Sequence, residues 1–467
     1  MEKTFLAHKA DIGFILRFRM KPIRLHSLTA WILPAFFLLH SLPALAQQAP
    51  DPSLNFSARG ITLTEAFKLA EQNNIQLQAF RKNINLSQYD VRIARRWDNP
   101  QLMLNGSAGK VVTIQSNPQQ IALSQDVVTA GKRGLKVDIA KAQLTLTQFQ
   151  VDQLRWDIRA QVREAYAGLV AAQQSLDNLD IQSRLLDRLV EIATKRFRAG
   201  AAPRSELFQA KLARDQLESQ KNQVIAKSEQ STYTMNSLLG NTMPPYFEPL
   251  EKGVLRIRLQ KTDLAPDLNF SIPSRETLFA KALLSRPDLR ATNQQKEIAQ
   301  RQLRLTKRQR IPDVNVQAGY LVAPMPPLPD GNVVWLNGGF LQLTFDLPIY
   351  HNQGIEIKRA QTVIQQTDLQ IRDAQRQAKL EIDRSYSELT AARKNIALYE
   401  DNLIPSARAS LQLAQRSYEV GKTPLANVVL AQQAAQQVLG NYLDAVIDYQ
   451  GAWGNLERAV GLPIENW

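Results

Sequence analysis

Two long stretches of the chain repeat apolar residues at the spacing of a coiled coil. The first extends from about 136 to 238, turns at Gly200, and steps between apolar positions by three, four or seven residues. The second extends from about 356 to 456 and turns at Gly421. This pattern predicts two helical hairpins, and the roughly sixty residues of the first arm would form a rod about 95 Å long. The apolar positions of that arm are Leu144, Val151, Leu154, Ile158, Val162, Ala165, Leu169, Ala172, Leu176, Leu179, Leu186, Val190, Ala193 and Phe197.

Four shorter segments change from this helical period to alternation of apolar and polar residues. They lie at about 101–109, 121–127, 313–321 and 339–348. One apolar face and one polar face per strand is what a transmembrane β-barrel presents to lipid and to water. A soluble antiparallel sheet over a core shows the same alternation and remains the alternative.

Two aromatic residues flank the strands at one end. Trp97 precedes the first strand and Tyr350 follows the fourth, which places both at the same end of the predicted sheet. Aromatic residues form girdles at the membrane interfaces of transmembrane barrels. We therefore expect Trp97 and Tyr350 to belong to such a girdle.

The order of helix, strand pair and long hairpin occurs twice, which indicates a tandem duplication. The separation between matched residues is constant over long stretches and changes where one copy carries an insertion. The matched pairs are Phe67 with Phe279 and Pro100 with Pro312 at 212 residues, Asp126 with Asp346 and Tyr166 with Tyr386 at 220, and Gly200 with Gly421 and Pro203 with Pro424 at 221.

This duplication divides the chain into a first repeat, 63–240, and a second repeat, 275–462. A Pro-rich linker at 241–274 joins the repeats, and a short tail follows at 463–467. In the first repeat, Thr64 is placed to cap a helix that would continue to Arg96.

The N-terminal 46 residues have the features of a secretory signal. Two basic residues, Lys21 and Arg24, precede an apolar run, and Ala44 and Ala46 offer small residues for cleavage. A start at Met20 would give a signal of ordinary length, and an uncleaved N-terminal membrane anchor is the competing interpretation. The segment 47–62 that follows is predicted to be disordered.

Composition argues against several classes of function. The chain has no cysteine, and three of its four histidines lie in the leader, leaving His351. We find no nucleophile elbow, phosphate loop or zinc-protease motif. The formal charge is +14, but basic residues alternate with acidic ones along the predicted helices. We therefore expect no enzyme activity, no cofactor, no metal site and no nucleic-acid partner.

Four strands are too few to close a barrel. The chain must therefore associate with copies of itself to satisfy its strand edges, and a trimer would supply twelve strands.

With this architecture the sequence resembles the TolC-type outer-membrane efflux proteins, from Leu63 to Leu462. The hairpin tips share in the resemblance: RFRAGAAPRSELF at 196–208 and RSYEVGKTPLANVVLA at 416–431. The resemblance implies a mainly α chain with a membrane β-barrel, assembled as a homotrimer with a twelve-stranded barrel in outer-membrane lipid and a periplasmic α-helical tunnel. It also implies two partners, a periplasmic adaptor at the tips and an inner-membrane pump of the RND type.

The resemblance assigns roles to residues at the tips. Adaptor docking is expected at the two turns, and the closed aperture is expected to involve a tyrosine and an acidic residue of the neighbouring hairpin, which we hypothesise to be hydrogen bonded. Where other members have further acidic residues, this chain has an amide and a leucine. The docking residues are Gly200, Pro203, Val420, Gly421 and Pro424, and the aperture residues are Glu206, Tyr418, Asn427 and Leu430.

The leading functional hypothesis is a passive outer-membrane exit duct of a tripartite efflux system, carrying small molecules or ions. The duct of a type I protein secretion system is an alternative with the same fold. A structural coiled coil or adhesin without a pore is an alternative of another class, which the alternating strands and the duplication disfavour.

Overall fold

The computed structural model describes residues 62–105, 119–241, 271–324, 335–350 and 352–463. The predicted leader, nearly all of the segment that follows it, most of the linker, the last four residues and His351 lie outside these ranges. The same holds for the end of the predicted first strand, 106–109.

The described elements follow the predicted order. The helices are α1 (Leu63–Asn73), α2 (Ile75–Arg95), α3 (Lys132–Arg198), α4 (Arg204–Leu238), α5 (Arg275–Ser285), α6 (Pro287–Arg308), α7 (Gly354–Leu398), α8 (Ile404–Glu419) and α9 (Leu425–Val460), and a π turn (Tyr399–Leu403) joins α7 to α8. The strands are β1 (Gln101–Asn105), β2 (Gln119–Val127), β3 (Val314–Pro324) and β4 (Trp335–Phe345).

The helical segment before β1 differs from the prediction in its N-cap residue and in its continuity. Thr62, not Thr64, caps α1: its hydroxyl accepts from the Glu65 N–H, and the Glu65 carboxylate accepts from the Thr62 N–H. Asn74 then ends α1 and caps α2, since its side-chain oxygen accepts from the Leu77 N–H. The expected single helix is therefore two helices.

The long hairpins bury the predicted heptad seam. α3 alone has 67 residues, which corresponds to about 100 Å. Phe197, next to the turn, departs from the seam and is 39% exposed. None of the described helices combines the length and the apolar character that a membrane-spanning helix needs. The buried seam residues include Val151, Ile158, Val162, Leu169, Ala172, Leu176, Leu179, Leu186 and Ala193.

A π turn accounts for a one-residue difference between the two hairpins. Tyr166 and Tyr386 are 220 residues apart, whereas Gly200 and Gly421 are 221 apart. The extra residue falls in the stretch that contains the π turn, where the Ile404 N–H bonds to the carbonyl five residues earlier. A π turn holds one additional residue inside a helix. The insertion is thus absorbed locally, and α8 keeps its apolar face toward the core.

A buried ion pair joins the two hairpins. Nη2 of Arg163, on α3, lies 2.9 Å from Oε2 of Glu457, on α9, and Nη1 donates to the side chain of Gln450. Arg163 and Glu457 are 8% and 3% exposed. Removing either partner would leave a buried charge without its counterion, which is strongly destabilising.

The four strands form one antiparallel sheet in the order β1-β2-β3-β4. β2 pairs with β3 along its whole length, from Gln119 with Val322 to Val127 with Val314, so the sheet joins the two repeats. Among the described residues β1 and β4 each pair with one strand only, and each leaves one edge open.

The apolar face of this sheet is the exposed one. Ile121 and Leu123 on β2 are 52% and 57% exposed, and the register places Tyr320 and Ala318 opposite them. The other face holds buried Ser124 and Gln317. A soluble sheet would turn its apolar face toward a core, so this arrangement disfavours the soluble alternative. Further exposed apolar residues of the strands are Leu102, Leu104, Leu336, Leu341, Leu343 and Phe345.

Close contact between β2 and β3 predicts the effect of a small substitution. A Cβ at Gly319 would lie 2.6 Å from Cβ of Ala122 and against the Ile121 carbonyl oxygen. Gly319→Ala should therefore destabilise the protein by about 1–3 kcal/mol. Thermal unfolding in detergent measures the loss, with Gly338→Ala as the control because no described atom lies within 4 Å of its added Cβ. Equal melting temperatures for the two variants would contradict the predicted contact.

Candidate functional site at the hairpin tips

The two hairpins turn with the same backbone geometry. Gly200 has φ +68° and Gly421 has φ +71°. In each turn the residue after the glycine donates its N–H to a carbonyl five residues earlier, from Ala201 to Arg196 and from Lys422 to Ser417, both at 2.8 Å. This is the Schellman helix ending, which favours glycine at the left-handed position. No described atom lies within 4 Å of a Cβ built on either glycine, so the backbone angle alone requires glycine.

A proline precedes each returning helix. Pro203 has φ −69° and ψ 155°, and Pro424 has φ −71° and ψ 156°. Both prolines are therefore cap residues immediately before α4 and α9. Their carbonyls accept from the N–H groups of Glu206 and Asn427, each at 3.1 Å.

A shared core holds the two tips side by side. Tyr418, Leu425 and Val428 of the second hairpin are 0% exposed, and they form one cluster with residues of the first hairpin. The tips can therefore move together more readily than apart. The cluster members from the first hairpin are Leu179, Leu186, Leu189, Ala193, Ala210, Ala213 and Leu217.

Tyr418 lies beside Glu206 and Arg196. The Arg196 guanidinium is 5.0 Å from the centroid of the Tyr418 ring, and its Nη1 is 4.0 Å from Oε1 of Glu206. Burial, and then the Glu206 carboxylate, raise the pKa of Tyr418 to about 12. The two side chains that we expected to be linked are thus brought together. However, the Tyr418 hydroxyl and Glu206 Oε1 are both buried and neither has a hydrogen-bond partner among the described residues.

Arg196 is the member of this cluster that the sequence did not reveal. Positions 196 and 206 lie five residues on either side of position 201. Antiparallel arms place such positions opposite each other, so the signal was present in the spacing. As a result, the Glu206 side chain is only 12% exposed and faces a cation.

The remaining predicted tip residues lie on the surface. Leu430 is 62% exposed and Val420 is 67% exposed, while Asn427 is also exposed. The two turn glycines and the two cap prolines are exposed as well. These residues are accessible to a partner.

Trp97 and Tyr350 lie beyond the ends of β1 and β4 at the same end of the sheet. Tyr350 is 99% exposed. Trp97 is 60% exposed, and the guanidinium of Arg133, in the first turn of α3, lies 3.8 Å from its ring centroid. The Trp97 ring therefore also contacts the helix that follows the sheet.

The described part of the chain contains no group of three or more His, Cys, Asp or Glu side chains placed to hold a metal ion.

In comparison with known proteins, one family model matches both repeats of the chain. The family model described as outer membrane efflux protein matches residues 66–241 and 278–462. Among curated proteins, the chain is 23% identical over 443 residues to the cobalt-zinc-cadmium resistance protein CzcC of Cupriavidus metallidurans, covering 92% of this chain and 97% of that protein.

Solved structures share the fold at low sequence identity. The outer membrane protein VceC of Vibrio cholerae superposes with a TM-score of 0.65 at 18% identity, over 86% of this chain and 96% of that chain. The open-state MtrE outer membrane channel of Neisseria gonorrhoeae gives 0.62 at 15% identity, over 86% and 90%. The predicted fold class is confirmed by these structures.

The raised pKa of Tyr418 predicts a pH dependence of stability. The folded protein holds the hydroxyl proton more tightly than the unfolded chain, whose tyrosine pKa is about 10.0. The contribution of Tyr418 is therefore complete below about pH 10 and is lost as the pH rises toward about 12. Melting temperatures across this range should fall more steeply for the wild type than for Tyr418→Phe.

Below this range the two proteins should melt alike, because the Tyr418 hydroxyl has no hydrogen-bond partner among the described residues. Parallel curves through the whole alkaline range would contradict a raised pKa at Tyr418.

Proposed function

The chain belongs to the outer membrane efflux protein family, and from that premise we propose that three copies close a twelve-stranded barrel and a periplasmic helical tunnel. The protein resides in the outer membrane and is the exit duct of an efflux system. Its hairpin tips form the periplasmic end of the duct.

The open edges of the sheet are the observation that carries this proposal. β1 and β4 each leave an edge unpaired, and the exposed face of the sheet is apolar. Backbone groups cannot stay unpaired in lipid, and a barrel has no edges. Pairing of β4 of one copy with β1 of the next satisfies both edges and turns the apolar face toward lipid. The exposed aromatic residues Trp97 and Tyr350 then belong to one interfacial girdle.

Two partners complete the system. A periplasmic adaptor docks on the exposed turns around Gly200 and Gly421, and an inner-membrane pump of the RND type supplies energy and cargo. In this proposal the pump selects the cargo, since a wide water-filled duct needs no specific binding site. An efflux duct is favoured over a protein secretion duct by the family match and over a poreless adhesin by the sheet.

Arg196, Glu206 and Tyr418 form the latch of the closed aperture in this proposal. Arg196 and Glu206 connect the two arms of the first hairpin. Arg196 also contacts the ring of Tyr418, which belongs to the second hairpin. Asn427 and Leu430 lie on the exposed surface of α9 and line the aperture. With an amide and a leucine there, closure depends on the latch and not on an acidic ring.

Loosening the latch should open the duct. Glu206→Gln removes the charge that faces Arg196, a contact worth up to about 1 kcal/mol or about a fivefold change in the open fraction. Cells that produce the variant should become more sensitive to vancomycin, which is too large for ordinary porins. Tyr418→Leu should act in the same direction, because it removes the ring that the Arg196 guanidinium contacts.

Glu419→Gln is the matched control, because Glu419 lies at the same tips, is exposed, and has no ion pair among the described residues. Vancomycin sensitivity that is unchanged in Glu206→Gln and Tyr418→Leu, with normal protein levels, would show that this cluster does not hold the aperture shut.

A further inference from the structure

The two tips carry an excess of positive charge. The segments 195–206 and 416–430 hold six basic side chains against two carboxylates, an excess of four positive charges per chain. The carboxylates are Glu206 and Glu419, and the basic residues are Lys195, Arg196, Arg198, Arg204, Arg416 and Lys422.

Local ion pairs remove little of this excess. Lys195 pairs with Glu191 at 2.6 Å, and Arg196 lies 4.0 Å from Glu206. Four cations are exposed and have no carboxylate partner among the described residues. These four are Arg198, Arg204, Arg416 and Lys422.

Farther from the turn, acidic and basic residues on the same hairpin nearly balance: segments 177–194 and 207–221 hold six carboxylates against five basic side chains. Arg214 pairs with Asp187 at 2.9 Å, and Lys221 pairs with Asp180 at 2.8 Å, in both cases across the two arms. The tips therefore differ from the neighbouring shaft in their charge balance, since six basic side chains face only two carboxylates there.

Fold stability explains some of these cations but not all of them. Arg198 and Arg416 lie in the last turns of α3 and α8, where a positive charge complements the helix dipole. Arg204 is the first residue of α4, where a positive charge is unfavourable. Lys422 lies in the turn itself, outside any helix. Helix stability thus does not account for Lys422, and for Arg204 it offers only the contact with the Phe208 ring at 5.1 Å.

We infer that the tips make the periplasmic mouth of the duct electropositive and anion-preferring, and that Arg204 and Lys422 set this preference. The inference rests on the proposed trimer, in which six tips surround one mouth. Charges act over about 10 Å at 0.1 M salt, so side chains around a narrow mouth influence passing ions without touching them. Rings of Arg or Lys favour anions in pores.

Of the carboxylates deeper in the hairpins, Asp187 and Asp180 are paired with basic residues of the opposite arm, and those of one groove are too distant to cancel this effect. Asp448 on α9 and Glu164 on α3 are exposed and line one groove between the helices. Asp448 lies 21 residues beyond Asn427 along the chain, which corresponds to about 30 Å of helix or about three screening lengths at 0.1 M salt.

The double variant Arg204→Glu with Lys422→Glu tests the inference. It should fold, because an acidic residue at the start of α4 complements the helix dipole. Reversal potentials in planar bilayers, across a KCl gradient between about 0.1 and 1 M, give the chloride-to-potassium permeability ratio. The wild type should prefer chloride, and the variant should lower the ratio by about threefold or more.

The control carries the same charge change on α2, as Lys82→Glu with Arg92→Glu. Both residues are exposed, and Arg92 lies over a tyrosine ring at 5.8 Å, much as Arg204 lies over Phe208 at 5.1 Å. α2 is hydrogen bonded through Ser87 to Thr147 of α3, about 75 Å from the end of that helix. The control should keep the wild-type ratio.

A wild type that prefers potassium, or a tip variant with the same ratio as the control, would overturn the inference while leaving the duct intact. Absence of conductance in all three proteins, each inserted in the membrane, and also when each carries Glu206→Gln to loosen the latch, would instead contradict the proposed duct.

Discussion

The unpaired edges of a four-stranded sheet are the constraint on which the rest of this structure depends. β2 and β3 are fully paired, whereas β1 and β4 each present one open edge, and the exposed face between them is apolar. Such a sheet is stable neither in water, where its apolar face is exposed, nor in lipid, where its edges are unsatisfied. Closure with further copies resolves both problems. Since β1 and β2 precede the first hairpin and β3 and β4 precede the second, closing the sheet also sets the hairpins into a ring.

The helical hairpins also have apolar surface that must be buried, and they bury it against one another. A helix as long as α3 cannot bury its apolar seam against itself, so it depends on its neighbours. The ion pair of Arg163 and Glu457 joins the middle of α3 to the end of α9, and the cluster around Tyr418 joins the two hairpins at their tips. The π turn between α7 and α8 preserves this packing despite one additional residue in the second copy. The duplicated unit can therefore differ in length and still present matching ends.

The periodic spacing of apolar residues allowed the helices and strands to be predicted from the sequence. Features that depend on individual side-chain contacts were not predicted. Heptad spacing and strand alternation arise because one face of each element differs in environment from the other. The seam of α3 and the strands could therefore be predicted from the sequence. Whether Thr62 or Thr64 caps α1 depends on a hydrogen bond with Glu65, which no period encodes. Glu206 was expected at the aperture, but its burial beside Arg196 depends on how the two arms align across the turn. The charge of a tip is likewise readable, whereas its pairing is not.

Closure by three copies is the central claim, and native mass spectrometry of the detergent-extracted protein tests it most directly. A closed trimer predicts a single dominant particle of three chains that survives dilution, because every strand edge is used within it. A particle of one chain, or a series of assemblies that grows with concentration, would show that the edges of the sheet remain open and would contradict the barrel and the duct together.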